Sequence, residues 1–167
     1  MMIKEFKKKI KKPLRQATLC FLIKDDKVLL AMKKRGFGKD RFNGVGGKQH
    51  EGETIRQTAI RETEEEIGVK ILNPQKVGVL DFYFPQVPIK DDWNQRVIVY
   101  LVTEWSGKPT ESDEMKPKWF NINKLPFDRM WSDDYLWLSH ILDNKKVQAE
   151  FAFDLDQKVI DYTLKVN

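Results

Sequence analysis

Cysteine is nearly absent from this chain. Cys20 stands alone among 167 residues, so no internal disulfide can form, and a reducing compartment such as the cytoplasm fits. No apolar run approaches the roughly 20 residues that span a bilayer as a helix. Histidine is scarce, and neither His50 nor His140 is assigned a role. There is no internal repeat and no low-complexity linker. At 41% hydrophobic and 33% charged residues the composition is an ordinary soluble balance, and the length suits one domain with a full core.

Excess charge of one sign is also missing from most of the chain. The net charge is +5. Residues 1–15 hold seven Lys or Arg against Glu5, a contribution of +6. The remaining body, five less six, is therefore −1 by the same count. A neutral body argues against a broad nucleic-acid-binding face, and no stable nucleic-acid partner is expected. The run IKEFKKKIKK can form a basic amphipathic helix drawn to membranes or RNA. It is Lys-rich where a targeting presequence favours Arg and Ser. The leading expectation for 1–15 is a solvated, flexible extension, with order beginning near Pro13 and a domain covering 16–167.

What is present has clear periodicity. Residues 17–23 and 28–32 read as strands joined at an Asp25-Asp26 turn. Residues 33–47 read as a Gly-rich loop. Strands are expected over 77–84, 96–103 and 118–121, with an exposed, proline-bearing loop at 85–94. A helix is expected over 131–143, capped by Ser132 or Asp133. A closing hairpin follows over 147–153 and 158–166. A mixed sheet with two main helices packed on it is an α+β arrangement.

The most informative stretch is GKQHEGETIRQTAIRETEEEIGV at 47–69. Thr54 can cap a helix there, with Gln57 completing a capping box, and Gly68 can end it. Ile55, Ala59 and Ile67 can supply a core-facing stripe. Glu62 lies three residues before Glu65 and four before Glu66, so the three acids share a face. Carboxylates that close repel one another. A solvated helix face is the plain explanation of such a run. Hard cations held against a phosphate chain are the alternative, and point to metal-assisted cleavage of a phosphoanhydride. Gly44, Gly46 and Gly47 let backbone approach a ligand closely, and Lys48 can reach an anion.

Gly47, Glu53, Arg61, Glu62, Glu65, Glu66, Gly68 and Val69 fall in register with the pattern Gx5Ex7REUxEExGU, where U is a bulky aliphatic. On these residues the chain resembles the Nudix hydrolases. One position departs: Thr63 stands where an aliphatic is usual. The resemblance implies the Nudix fold, a mixed sheet sandwiched between helices. It implies Mg2+, with Mn2+ an alternative, held by the Gly46 carbonyl, Glu62, Glu65, Glu66 and Glu114. Glu62, Glu66 and Glu114 are the implied catalytic carboxylates.

The resemblance extends beyond the box. KKRGFG at 33–38, FNGVGGK at 42–48, ESDEM at 111–115, the run from Pro126 through Trp131 to Trp137, and DYTL at 161–164 are similar to the MutT-like branch that hydrolyses oxidised purine nucleoside triphosphates. A small-molecule nucleotide partner, 8-oxo-dGTP or 2-hydroxy-dATP, and a monomer are what it implies. Phe82 and Phe84 alternate with Tyr83, so both project from one face of a strand. With Trp131 they can wall a flat base, while Phe37 and Trp137 can close its sides. Core packing is the competing role for any one of these rings. Asn43 carries an amide that can pair with a base edge. Asp133 and Asp134 are implied readers of the base, one of them able to keep a proton; a helix cap with a first-turn acid is the alternative. Thr18 and Lys33 match ligand positions of the branch. Three departures, Phe42 for a tryptophan, Ser132 for a proline, and Gln95 for a methionine beside a longer 85–94 loop, bear on base preference. A Nudix pyrophosphatase for another nucleotide, such as a methylated purine, and a non-catalytic nucleotide-binding module are the rival readings.

Overall fold

A computed structural model describes residues 2–167. After α1 (Met2–Lys7) come β1 (Arg15–Lys24), β2 (Lys27–Lys33), β3 (Phe42–Asn43), α2 (Ile55–Ile67), β4 (Lys70–Leu72), β5 (Gln75–Tyr83) and β6 (Gln95–Val102). Then follow β7 (Glu104–Ser106), β8 (Met115–Asn121), α3 (Asp134–Leu142), β9 (Val147–Phe153) and β10 (Val159–Val166). The main sheet runs β10-β9-β5-β6-β1-β2-β3, with β8 on β2; β4 and β7 form a separate pair. It is mixed: β1 lies parallel to β6, and β5 parallel to β9, while β5 and β6 are antiparallel.

A split in this sheet positions the site. β1 and β2 pair only at the base of their hairpin, through Ile23 with Val28 and Lys24 with Lys27. Beyond that point they part, and residues 44–48 enter the gap. The Cys20 and Thr18 amides donate to the Val45 and Gly47 carbonyls at 2.6 and 2.9 Å. The glycine-rich segment is thus held as sheet backbone, its strand-like hydrogen bonds satisfied.

Alternation along the strands builds two cores, one on each face. Ala59 and Ile67 of α2 pack with Cys20, Leu22, Ile98, Tyr100 and Val102. Trp137, Leu138 and Ile141 of α3 pack with Phe21, Leu80, Val99 and Phe151 on the other. This is the helix–sheet–helix sandwich expected. α2 has the expected capping box at Thr54 and Gln57, and Gly68 closes it in the left-handed region at φ 73°. Thr63 is fully buried and donates its hydroxyl to the Ala59 carbonyl at 2.8 Å, so the departure from an aliphatic leaves no unmatched polar group.

Three elements differ from the sequence reading. Residues 2–7 form a helix rather than a loose end. Ile3 and Phe6 are buried against Tyr83 and Ala152, on the face of the sheet opposite Phe82 and Phe151. The Ile3 amide donates to Asp161 Oδ2 at 3.0 Å, and Lys7 pairs with Glu150 at 2.6 Å. Burying two such side chains stabilises the attachment by about 2 kcal/mol each. Order therefore begins well before Pro13. β3 and the β4–β7 pair were not anticipated, being only two or three residues long. No helix among the described residues is long and apolar enough to cross a membrane.

Candidate active site

The acids of α2 are organised by one guanidinium. Arg61 grips both oxygens of Glu53 at 2.7 and 3.0 Å, reaches Glu62 at 2.9 Å and Glu65 at 3.2 Å, and donates to the Lys48 carbonyl at 3.0 Å. Its hydrogen bonds, with those of the His50 amide and Thr58, pull the Glu53 carboxyl down to about 2. Glu66 turns the other way, into the protein. It is 8% exposed, and its Oε2 has no hydrogen-bond partner. Burial pushes its pKa up to about 8, reinforced by the charges of Glu62 and Glu114 and opposed by the Gly46 amide and Lys33. Glu114 is half-exposed and only loosely paired with Arg35, at 3.5 Å.

The expected shared face is therefore a fan: Glu65 outward, Glu62 toward Gly47, Glu66 inward. Among the described residues no three acidic, histidine or cysteine side chains already converge as a metal cage. The donor set nevertheless fits a hard divalent cation. A buried carboxylate oxygen without a partner, raised by neighbouring acids, is what a bound cation would relieve. Space bears on both glycines, through backbone at Gly46 and through a side chain at Gly47. A Cβ on Gly46 would fall on the Thr18 carbonyl, and one on Gly47 would strike the Glu62 carboxylate.

Beside this seam lies a cleft of about 240 Å³. Gly46, Gly47, Lys48, Lys33 and Thr18 line its glycine end. Phe82, Phe84, Phe37 and Trp131 form apolar walls, and Asn43, Asp133 and Asp134 bring polar groups into it. Asn43 commits its Oδ1 to the Gly44 amide at 2.8 Å, so what it offers a ligand is its NH2 group. Both aspartates are 2% exposed. Asp133 accepts the Trp137 indole N–H at 2.7 Å, and Asp134 accepts the Trp131 amide at 3.0 Å. Each hydrogen bond engages one carboxylate oxygen. Burial pushes both carboxyls up, Asp133 to about 6; Asp134 is raised further by the neighbouring charge, with Arg41 opposing. Two adjacent carboxyls out of water cannot both ionise at low cost, so each resists losing its proton more than a solvated aspartate does.

Residues 13–141 match the NUDIX domain family. This chain belongs to the Nudix hydrolases. It is 40% identical to the oxidized purine nucleoside triphosphate hydrolase of Danio rerio, over 88% of this chain and 92% of that protein. The Mus musculus protein of the same name is also 40% identical, over 89% and 92%. Among solved structures, a MutT protein from Bacillus halodurans superposes with a TM-score of 0.80 at 26% identity, covering 91% of this chain and 98% of that one.

In this Nudix hydrolase the cleft gathers every residue the sequence nominated for substrate except Trp137. That ring is fully buried, packs edge-on against Phe21 at 6.0 Å, and supports Asp133 from behind. Asp133 stands at the α3 N-cap but makes no capping hydrogen bond with its side chain. Ser132 bonds instead to the start of β10, accepting the Val159 amide at 3.1 Å. Sequence reasoning missed Arg41, Met115 and Phe153, which also line the cleft. Arg41 lies over the Trp131 ring at 4.4 Å and donates to Gln157 at 2.7 Å. The Phe151-x-Phe153 alternation in a strand was the available signal for Phe153; nothing local marks Arg41.

Proposed function

We propose that this Nudix hydrolase cleaves oxidised purine nucleoside triphosphates, 8-oxo-dGTP and 2-hydroxy-dATP, to the monophosphate and pyrophosphate, so clearing damaged precursors from the nucleotide pool. One observation carries the reading. Two adjacent buried aspartates and the Asn43 amide face an aromatic-walled cleft whose other end is the glycine seam beside the α2 glutamates. The names of the zebrafish and mouse relatives agree with it.

The base lies between Phe82, Phe84 and Trp131, and the aspartate pair reads its polar edge. A pair that holds one proton offers both a donor and an acceptor, which matches a purine edge carrying both. An unmodified base lacking the matching groups leaves buried atoms unpaired, a larger penalty than a lost methylene contact. Lys33 and Lys48 draw the phosphates to the glycine end, and Thr18 holds Gly47 in place through its hydroxyl, 3.4 Å from both the Gly47 amide and carbonyl. The Gly46 carbonyl, Glu62, Glu65, Glu66 and Glu114 are the groups that would hold Mg2+ or Mn2+. Such ions, when bound, neutralise the phosphate chain and acidify a coordinated water. Arg61 orients Glu62 and Glu65 for that task. Glu62, Glu66 and Glu114 are the carboxylates available to accept the proton of the attacking water.

The deciding experiment is steady-state hydrolysis of 8-oxo-dGTP, 2-hydroxy-dATP, O6-methyl-dGTP and dGTP with Mg2+. Preference for the two oxidised bases is expected. Equal turnover of dGTP, or none of any, removes the proposal.

A further inference from the structure

The loop between β5 and β6 completes the aromatic wall of the cleft with a ring that does not line it. Five rings follow one another in contact. Trp131 meets Phe37 at 5.0 Å, Phe37 meets Trp93 at 5.4 Å, Trp93 meets Phe84 at 5.5 Å, and Phe84 stacks on Phe153 at 5.4 Å. Four of these line the cleft. Trp93 stands outside them, edge-on to both Phe37 and Phe84, and joins the two halves of the wall. Phe37 is 49% exposed on the loop after β2. Without Trp93, Trp131 is its sole aromatic support.

A loop ring can brace a wall only if the loop is itself held. Asn94, next to Trp93, is 6% exposed and accepts the Phe84 amide through Oδ1 at 2.8 Å. Asp92 takes the left-handed conformation at φ 57° and pairs with Lys12 at 3.6 Å. Ile89 packs into the cluster of Ile3, Phe6 and Tyr83. The basic N-terminal segment is therefore tied to the same loop as Trp93.

We propose that Trp93 is a positioning residue for base recognition, holding Phe37 and Phe84 at the separation that admits a flat purine, with α1 as the support of its loop. This rests on the reading of the cleft as a purine nucleotide site. Its ring contacts are with Phe37 and Phe84, not with α2, so it acts on base affinity and leaves the phosphate chemistry alone. Edge-to-face pairs are individually modest, and losing two of them together corresponds to about a tenfold change in affinity.

The test is steady-state kinetics of the full chain and of W93A, W93L and W93F, with Mg2+, on whichever triphosphate of the panel above the wild type turns over best. W93A and W93L are expected to raise KM about tenfold and keep kcat within about twofold, while W93F, which keeps a ring, stays within about threefold of wild type in KM. An unchanged KM in W93A, a fall in kcat with KM unmoved, or a W93F as impaired as W93A overturns the proposal. If W93A is unfolded at the assay temperature, W93L decides by the same criteria. A wild type that prefers an unmodified or non-purine triphosphate defeats the proposed substrate, and the KM–kcat split on that nucleotide still decides the role of Trp93.

Discussion

The Trp137 indole N–H donates to Asp133 Oδ2 at 2.7 Å, with both side chains out of water. This fixes one oxygen of Asp133 toward the core. Trp137→Phe removes the donor and leaves a buried carboxylate oxygen unpaired, at a cost of about 1–3 kcal/mol in stability. It also favours the protonated form of Asp133. A lower Tm and an altered preference between 8-oxo-dGTP and 2-hydroxy-dATP are expected. An unchanged Tm and base preference would mean the hydrogen bond has no role.

The aspartate pair makes stability depend on pH. Asp133 and Asp134 titrate higher in the folded chain than the ordinary aspartate value of 3.8. A raised folded pKa contributes stability that is complete below the unfolded value and is lost as pH rises through the folded one. Ligand-free protein should therefore melt lower at pH 8 than at pH 5. Asp134→Asn should shrink that difference without abolishing it, because buried Glu66 contributes in the same direction. Glu53 acts oppositely: lowered to about 2, it adds stability above the usual glutamate range that disappears as pH falls toward 2. Thermal melts across pH 2–9 check both arms.

Glu66→Gln keeps the shape of the side chain and removes its charge. Turnover should fall by at least about a hundredfold, while the metal-free variant melts no lower than wild type at pH 8, where burying the carboxylate is unfavourable. Turnover near that of wild type would remove Glu66 from the catalytic set.

Gly46 and Gly47 should fail in different ways. The obstacle to a Cβ at Gly46 is sheet backbone, at the Thr18 carbonyl, so Gly46→Ala should lower Tm strongly. At Gly47 the obstacle is the Glu62 side chain, which can swing aside. Gly47→Ala should fold and lose about tenfold or more in kcat by displacing a carboxylate. Melting and kinetics on the two variants check the contrast.

Ile3→Ala should cost about 2 kcal/mol or more, because Ile3 is fully buried. A loose, solvated end would show no change on denaturant titration.

The spacing of Gly47, Glu53, Arg61, Glu62, Glu65 and Glu66 was legible because helix geometry and the demands of a phosphate chain act over a few residues. The strands were legible for a similar local reason, period-two alternation of β-branched and aromatic residues. The docking of α1 was not, since six lysines surround its apolar residues within 1–12 and those residues find Tyr83 and Ala152 only after folding. Trp137 was misplaced because a buried tryptophan and a cleft-lining one look alike in sequence. The fan of Glu62, Glu65 and Glu66 depended on where Arg61 and the Gly46 backbone came to lie.

The order of residues alone determined the Nudix box, its capped helix, the strand that carries Phe82 and the closing hairpin. Those features depend on neighbours along the chain. Only the tertiary structure decided that residues 44–48 occupy the split between β1 and β2, that two adjacent aspartates lose their water together, and that Trp93 stands between Phe37 and Phe84. Such outcomes depend on desolvation and on contacts between segments far apart in sequence, which are set when the sheet closes and its two faces are covered.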